Sequence, residues 1–209
     1  MRTRYKLPAV AWLLVFLVTT AAVVADAATV KRRNAGDLIS MGDVILRGTV
    51  ARVTDGIDPN GVPYTEVTVN VTDVTRGDQS HTYTFRQFGL IKPRDMGNGY
   101  TNLNVTPDGW PTYAQGEEVL LFLWKEAKWT GLRTTVGLFQ GKFTVEDGML
   151  TNVIDNEGLF DGLRVDLSEL TEKEQEMVRM KRGRVPADIF SSFMHKAVDK
   201  NWFPQRKGE

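Results

Sequence analysis

Two histidines, His81 and His195, and no cysteine make up the whole stock of imidazole and thiol chemistry in this 209-residue chain. A transition-metal site needs three or four such ligands at defined spacings, and no H-x-x-x-H or comparable pattern occurs. The lack of cysteine also removes a thiol nucleophile, a disulfide framework and a lipid-bearing cysteine. Ser191 and Ser192 lie close to His195 in sequence, without the glycine-flanked elbow that strains a nucleophilic serine into place. Asp43, Asp55, Asp58 and Asp73 are expected at one rim of the fold, where paired carboxylates would do the general acid–base work of a hydrolase. Asp58-Pro59-Asn60-Gly61 has something of an oxygen-ligand loop. It lacks the alternating acids and terminal glutamate of a calcium loop, so it reads as a solvated turn. No catalytic residue, metal site or cofactor is assigned on these patterns.

The remaining chemistry is aromatic and basic. Gly89 to Gly116 interrupts an otherwise strand-like pattern for 28 residues, with five glycines and three prolines. Structureless connections of that length inside a compact domain are uncommon and usually functional. This one carries Lys92, Arg94, Tyr100, Trp110 and Tyr113, with Trp129 in a later turn and Arg86 on the strand before it. Together they suit a stacking surface of the kind small barrels present to sugars or single strands. The expectation is a non-enzymatic binding module that meets a protein or glycan partner through this loop. The competing expectation is that Trp110-Pro111 and Tyr113 fold the loop back onto its own domain. A hydrolase using rim carboxylates and an oligonucleotide-binding barrel are the alternative functions.

The elements that must position these residues are mostly strands. Asp43 to Val53 is a long apolar-rich strand with Gly48 at its centre, where a strand can bend and pair on both sides. In Thr65 to Val74, Val67, Val69 and Val71 alternate with polar residues, so one face is buried and the other wet. Pro59-Asn60-Gly61 joins these two as a hairpin. His81 to Phe88 alternates Tyr83, Phe85 and Gln87 against Thr82, Thr84 and Arg86. Glu117 to Trp124 is almost continuously apolar, as in a strand covered on both faces. Leu132 to Val145 carries a fifth strand, and Met149 to Ile154 adds a short one. Five or six strands at hairpin spacing predict a mainly β fold, an OB-like closed barrel over residues 28–166.

Helical signals flank that pattern. Ala35 to Met41 makes one or two turns that put Leu38 and Ile39 at one end of the core. Residues 167–209 form a C-terminal helical extension with two helices. Thr171 and Glu174 make a capping box for a helix over Glu172 to Arg182, stopped by Gly183. A second helix begins at Pro186, with Ile189, Phe190, Phe193, Met194, Ala197 and Val198 on one stripe that is expected to pack against the barrel.

Charge and leader bound the compartment and the partners. Arg2, Arg4 and Lys6 precede an apolar run from Val10 to Val24 and an Ala25-Asp26-Ala27 cleavage site, so residues 1–27 read as a signal peptide. The run is shorter than a spanning helix needs, which predicts no stable membrane span after cleavage. Export without cysteine points to a bacterial periplasmic or secreted protein. Net charge is zero overall, which argues against nucleic-acid binding.

The series DVILRGTVARV, YTEVTVNVTDVTRGD, QGEEVLLFL and GLFQGKFTV resembles a group of small exported bacterial proteins. Their barrel is similar to that of the netrin-like and tissue-metalloproteinase-inhibitor modules. The resemblance rests on Arg47, Gly48 and Val50, on Arg76 and Gly77, and on Gly116, Glu117, Leu120, Phe122 and Leu123. It covers about Asp37 to Val145, and it implies fold more than activity. A tissue inhibitor places an N-terminal cysteine on the protease zinc, and that mechanism is closed to a chain without cysteine.

Overall fold

A computed structural model describes residues 31–206. The expected signal peptide, residues 1–27, lies outside the described residues. From Arg32 onward the chain is one compact unit. Its first element is α1 (Ala35–Met41), capped by Asn34, whose side chain accepts the Asp37 amide. As expected, Leu38 and Ile39 are fully buried.

Strands β1 (Val44–Ile57) and β2 (Pro63–Arg76) form a long antiparallel hairpin. Its turn is held by Asp58, whose Oδ1 accepts the amides of Asn60 and Val62, both at 2.8 Å. Gly61 supplies the left-handed residue, with φ +82°. The Asp58 carboxylate is therefore a turn cap. Strand β3 (Thr82–Phe88) continues the meander on β2. Valines 67 and 69 are buried while Thr68 pairs with Thr84 at 3.0 Å on the other face. Three register shifts between β1 and β2 bend the hairpin. One falls beside Gly48, where an added Cβ would sit 2.2 Å from the Asn70 carbonyl oxygen.

Two short strands, β4 (Arg94–Asp95) and β5 (Thr101–Asn102), form their own hairpin. Strand β6 (Glu118–Leu123) then pairs with the free edge of β1. It is covered on both faces, as its unbroken apolar run predicts. Val119, Leu121 and Leu123 enter a core with Val67, Val69 and Phe85, while Leu120 and Phe122 enter a second one with Phe143, Phe190 and Phe193. Strands β7 (Lys142–Glu146), β8 (Met149–Thr151) and β9 (Val185–Pro186) extend the sheet beyond β6.

The expected closed barrel is not formed. Among the described residues, seven strands make one antiparallel sheet in the order β3-β2-β1-β6-β7-β8-β9, and β3 and β9 are its unjoined ends. The reason lies in residues 132–136, expected to open a fifth strand. Leu132 reaches β3 by a single bridge at Arg86, and Thr135 reaches β6 by a single bridge at Leu123. Gly137 and Leu138 then take left-handed conformations, φ +66° and +58°, and a 3-10 turn (Leu138–Gly141) follows before β7. A ladder cannot run through such a break, so closure stops at isolated bridges.

The C-terminal segment belongs to the same sheet and core. Helix α2 (Glu172–Val178) has the predicted capping box but ends four residues short of Arg182. The backbone beyond it is taken by another loop: Gly158 donates to the Lys181 carbonyl, and Gly183 donates to that of Asp155. Helix α3 (Ala187–Asp199) starts after Pro186 and buries Phe190, Phe193, Met194 and Ala197 against the sheet. The two phenylalanines and Met194 each contribute about 1.5–3 kcal/mol.

Candidate functional site

The long connection is built in two halves around a pinned base. It leaves β3 at Gly89, φ +103°, where a Cβ would meet the Thr106 backbone at 2.5 Å. Only glycine lets the outgoing and returning chains cross this closely. Leu90, fully buried, donates to the Asn104 carbonyl and accepts from the Thr106 amide, both at 2.9 Å. Asp55 on β1 completes the base. Its carboxylate accepts the Ile91 amide at 2.8 Å and pairs with Arg94.

The outer half is the β4–β5 hairpin. Asp95 accepts the Gly97 amide, Asn98 accepts that of Tyr100, and Gly97 and Gly99 provide the left-handed turn residues. The hairpin and the residues flanking it hold four large apolar side chains in water: Ile91 57%, Met96 44%, Tyr100 74% and Leu103 71% exposed. The inner half turns inward. Pro111 is buried, and its carbonyl accepts from Gln87 Nε2 at 2.8 Å. The Tyr113 ring meets Phe85 edge-on at 5.6 Å, with Lys142 Nζ 5.0 Å from its centre. Burial pushes the Tyr113 phenol well above its ordinary pKa, with the Glu117 charge acting in the same direction. Between this inner half and the β1–β3 face lies a cavity of 340 Å³.

The residues singled out from sequence divide among these places. Lys92 stands exposed beside the cavity, and Tyr113 lines it. Arg94 is tied to Asp55 and Tyr100 projects from the hairpin. Trp110 is half-buried in a turn closed by its amide on the Pro107 carbonyl. Trp129 is 95% exposed on a different turn. Arg86 lies over the Tyr64 ring at 4.2 Å and bonds Glu66 at 2.8 Å on the wet face of β3. Sequence reasoning passed over Ile91, Met96 and Leu103, because single apolar residues among polar neighbours carry no periodic signal. It also passed over Gln87 as a wall of the cavity.

The four aspartates do not gather at one rim. Asp55 and Asp58 serve the loop base and the β1–β2 turn, while Asp73 pairs in register with Arg47. Arg47 and Asp55 are eight positions apart on β1, roughly 26 Å in an extended chain. The Asp73 carboxylate instead meets His195 Nε2 at 2.8 Å, between β2 and α3. A shallow 420 Å³ cavity there is lined by Arg47, Asp73, Glu118, Asp188, Ser191 and His195. Burial opposes the Arg47 charge, but bonds to Asp188 and Glu118 outweigh it and raise the Arg47 pKa. Ser191 Oγ makes no hydrogen bond, so no base activates it. Among the described residues, no group of three or more His, Asp or Glu is placed to hold a metal ion. No helix among them is long and apolar enough to cross a membrane.

No family model matches the chain, and no curated protein matches it.

Proposed function

We propose that the protein is an exported, non-catalytic binding module of the bacterial envelope that engages a protein partner through the β4–β5 hairpin. The observation that carries this reading is the exposure of Ile91, Met96, Tyr100 and Leu103 within thirteen consecutive residues. Clustered apolar exposure costs solubility and is characteristic of interaction sites, whereas scattered apolar residues are ordinary. The hairpin is also braced at its root by Asp55 and Arg94, which lowers the ordering cost of binding. Ile, Met and Leu favour a protein surface, where such side chains fill pockets. A glycan is gripped mainly by flat aromatic faces, and Tyr100 is the single aromatic ring among the four.

The test is recovery of a cross-linked partner from intact cells with wild-type protein, a Tyr100→Ser/Leu103→Ser variant and a Trp129→Ser variant. The expected result is loss of the cross-linked protein for the hairpin variant alone. Equal recovery from all three would refute the reading, as would displacement by a soluble oligosaccharide. Trp110 and Tyr113 are poor probes of partner contact, since both are partly enclosed by the fold.

A further inference from the structure

The chain has two Asn-Gly pairs, Asn60-Gly61 and Asn98-Gly99, each exposed at the tip of a hairpin. An asparagine before glycine is chemically labile, because the next backbone nitrogen can attack its side-chain carbonyl and glycine puts no Cβ in the way. The attack requires that nitrogen to give up its proton. The two turns differ at this atom. The Gly61 amide donates to the Asp58 carbonyl at 2.9 Å, and Asp58 Oδ1 holds the amides of Asn60 and Val62 on either side of it. The Gly99 amide donates to nothing among the described residues. A Cβ added to Gly99 would meet nothing within 4 Å, so water reaches it freely. Asn98 is also the better electrophile. Its Oδ1 accepts the Tyr100 amide at 3.2 Å, which folds the side chain along its own C-terminal peptide and puts a donor on the oxygen that turns negative during attack. Each turn carries one aspartate, Asp58 or Asp95, so the local charge is alike.

We propose that Asn98 is a self-modification site, at which the β4–β5 hairpin converts its own asparagine to aspartate and isoaspartate. The Gly99 nitrogen loses its proton to water and bonds to Asn98 Cγ, and the side-chain nitrogen takes up a proton and leaves as ammonia. The cyclic imide so formed then adds water, which opens it at either carbonyl. Opening on one side gives aspartate. Opening on the other gives isoaspartate, which adds a methylene to the backbone of the turn. Both products set a carboxylate between Met96 and Tyr100. In the β1–β2 turn the same reaction must first release the Gly61 amide, which slows it about tenfold. The reaction involves the hairpin and water alone, and it holds whatever the hairpin binds.

The test incubates protein purified from cells expressing the full chain in mildly alkaline buffer, folded and in urea, and follows both asparagines by peptide mass spectrometry. Digestion after Arg and Lys separates them, with Asn60 in residues 53–76 and Asn98 in residues 95–125, and fragmentation fixes the position of each change. In urea the two should convert at similar rates, since both precede glycine. In the folded protein Asn98 should keep or exceed its rate in urea, while Asn60 should slow about tenfold. Gly99→Ala should slow Asn98 in both states and leave Asn60 unchanged, because the added Cβ hinders the attacking nitrogen. Equal rates at the two sites in the folded protein, or a faster Asn60, would overturn the proposal. So would an Asn98 that folding protects, or conversion at Asn98 that Gly99→Ala leaves unaltered.

Discussion

Replacing Asp55 with alanine removes the carboxylate that ties the binding loop to β1. One of its oxygens accepts the Ile91 amide at 2.8 Å and the other pairs with Arg94. The side chains are 15% and 39% exposed, so the ion pair is partly screened and contributes about 1 kcal/mol. A backbone amide bonded to a carboxylate adds about 1.5 kcal/mol. Together these make about 2.5 kcal/mol, or about a 70-fold change in a local opening equilibrium. The effect should stay local, because Leu90 keeps its bonds to Asn104 and Thr106, and the contact of Arg94 with the Asp55 backbone carbonyl at 3.3 Å survives. Amide hydrogen exchange read by mass spectrometry reports it directly: peptides over residues 91–104 should exchange about 70-fold faster, with β6 and α3 unchanged. Asp55→Asn keeps an acceptor and loses the charge, so it should give about a fivefold effect. Unaltered exchange over 91–104, or an equal rise in β6 and α3, would refute the claim that this carboxylate braces the loop.

Three further outcomes test the framework around the site. Gly48→Ala should cost about 3 kcal/mol, since its Cβ meets the Asn70 carbonyl at 2.2 Å. Gly61→Ala, with open space around it and only its φ of +82° to strain, should cost about 1 kcal/mol; equal urea midpoints would contradict the comparison. Glu174→Ala should cost about 3 kcal/mol, because it breaks the capping box and leaves Lys196 with the Glu169 carbonyl but no charged partner. Burial alone would raise the Glu174 carboxyl, but bonds from Lys196 and Thr171 hold it below the usual range. Its contribution is therefore full above the unfolded value of about 4.3 and lost as pH falls through the folded one. Glu174→Gln should flatten that acid limb in a thermal melt. Tyr113→Phe should stabilise by about 1 kcal/mol by deleting a buried unpaired hydroxyl, and a clear loss in the melt would reveal a partner for it.

Local patterns in the sequence were good guides where the physics is local. Alternating valines in β2, the continuous apolar run of β6 and the Thr171/Glu174 capping box each specify their own element within ten residues. Closure is not such a property. The expected strand over Leu132 to Val145 is interrupted where Gly137 and Leu138 turn left-handed, and strand count says nothing about that. The pairing of His195 with Asp73 spans 122 positions and arises only when α3 lies against β2. Helix α2 ends short of Arg182 for a similar reason, since the Gly158 and Gly183 bonds compete for backbone that propensity alone would leave helical.

The loop shows most clearly what composition can and cannot tell. Glycine, proline and aromatic content mark residues 89–116 as the irregular part of the chain, and Lys92, Arg94, Tyr100, Trp110 and Tyr113 lie there while Arg86 and Trp129 lie outside it. The division within it is hidden in the sequence, because Tyr100 and Tyr113 are chemically alike and one is in water while the other packs edge-on against Phe85. What separates them is the crossing at Gly89 and Leu90, which closes the inner half on the sheet and leaves β4–β5 outside it. A mere linker has no reason to bury Leu90 completely or to spend the Asp55 carboxylate on its root. A loop that must hold apolar side chains in water without collapsing needs both, since hydrophobic burial would otherwise draw Ile91 and Leu103 onto the nearest apolar surface.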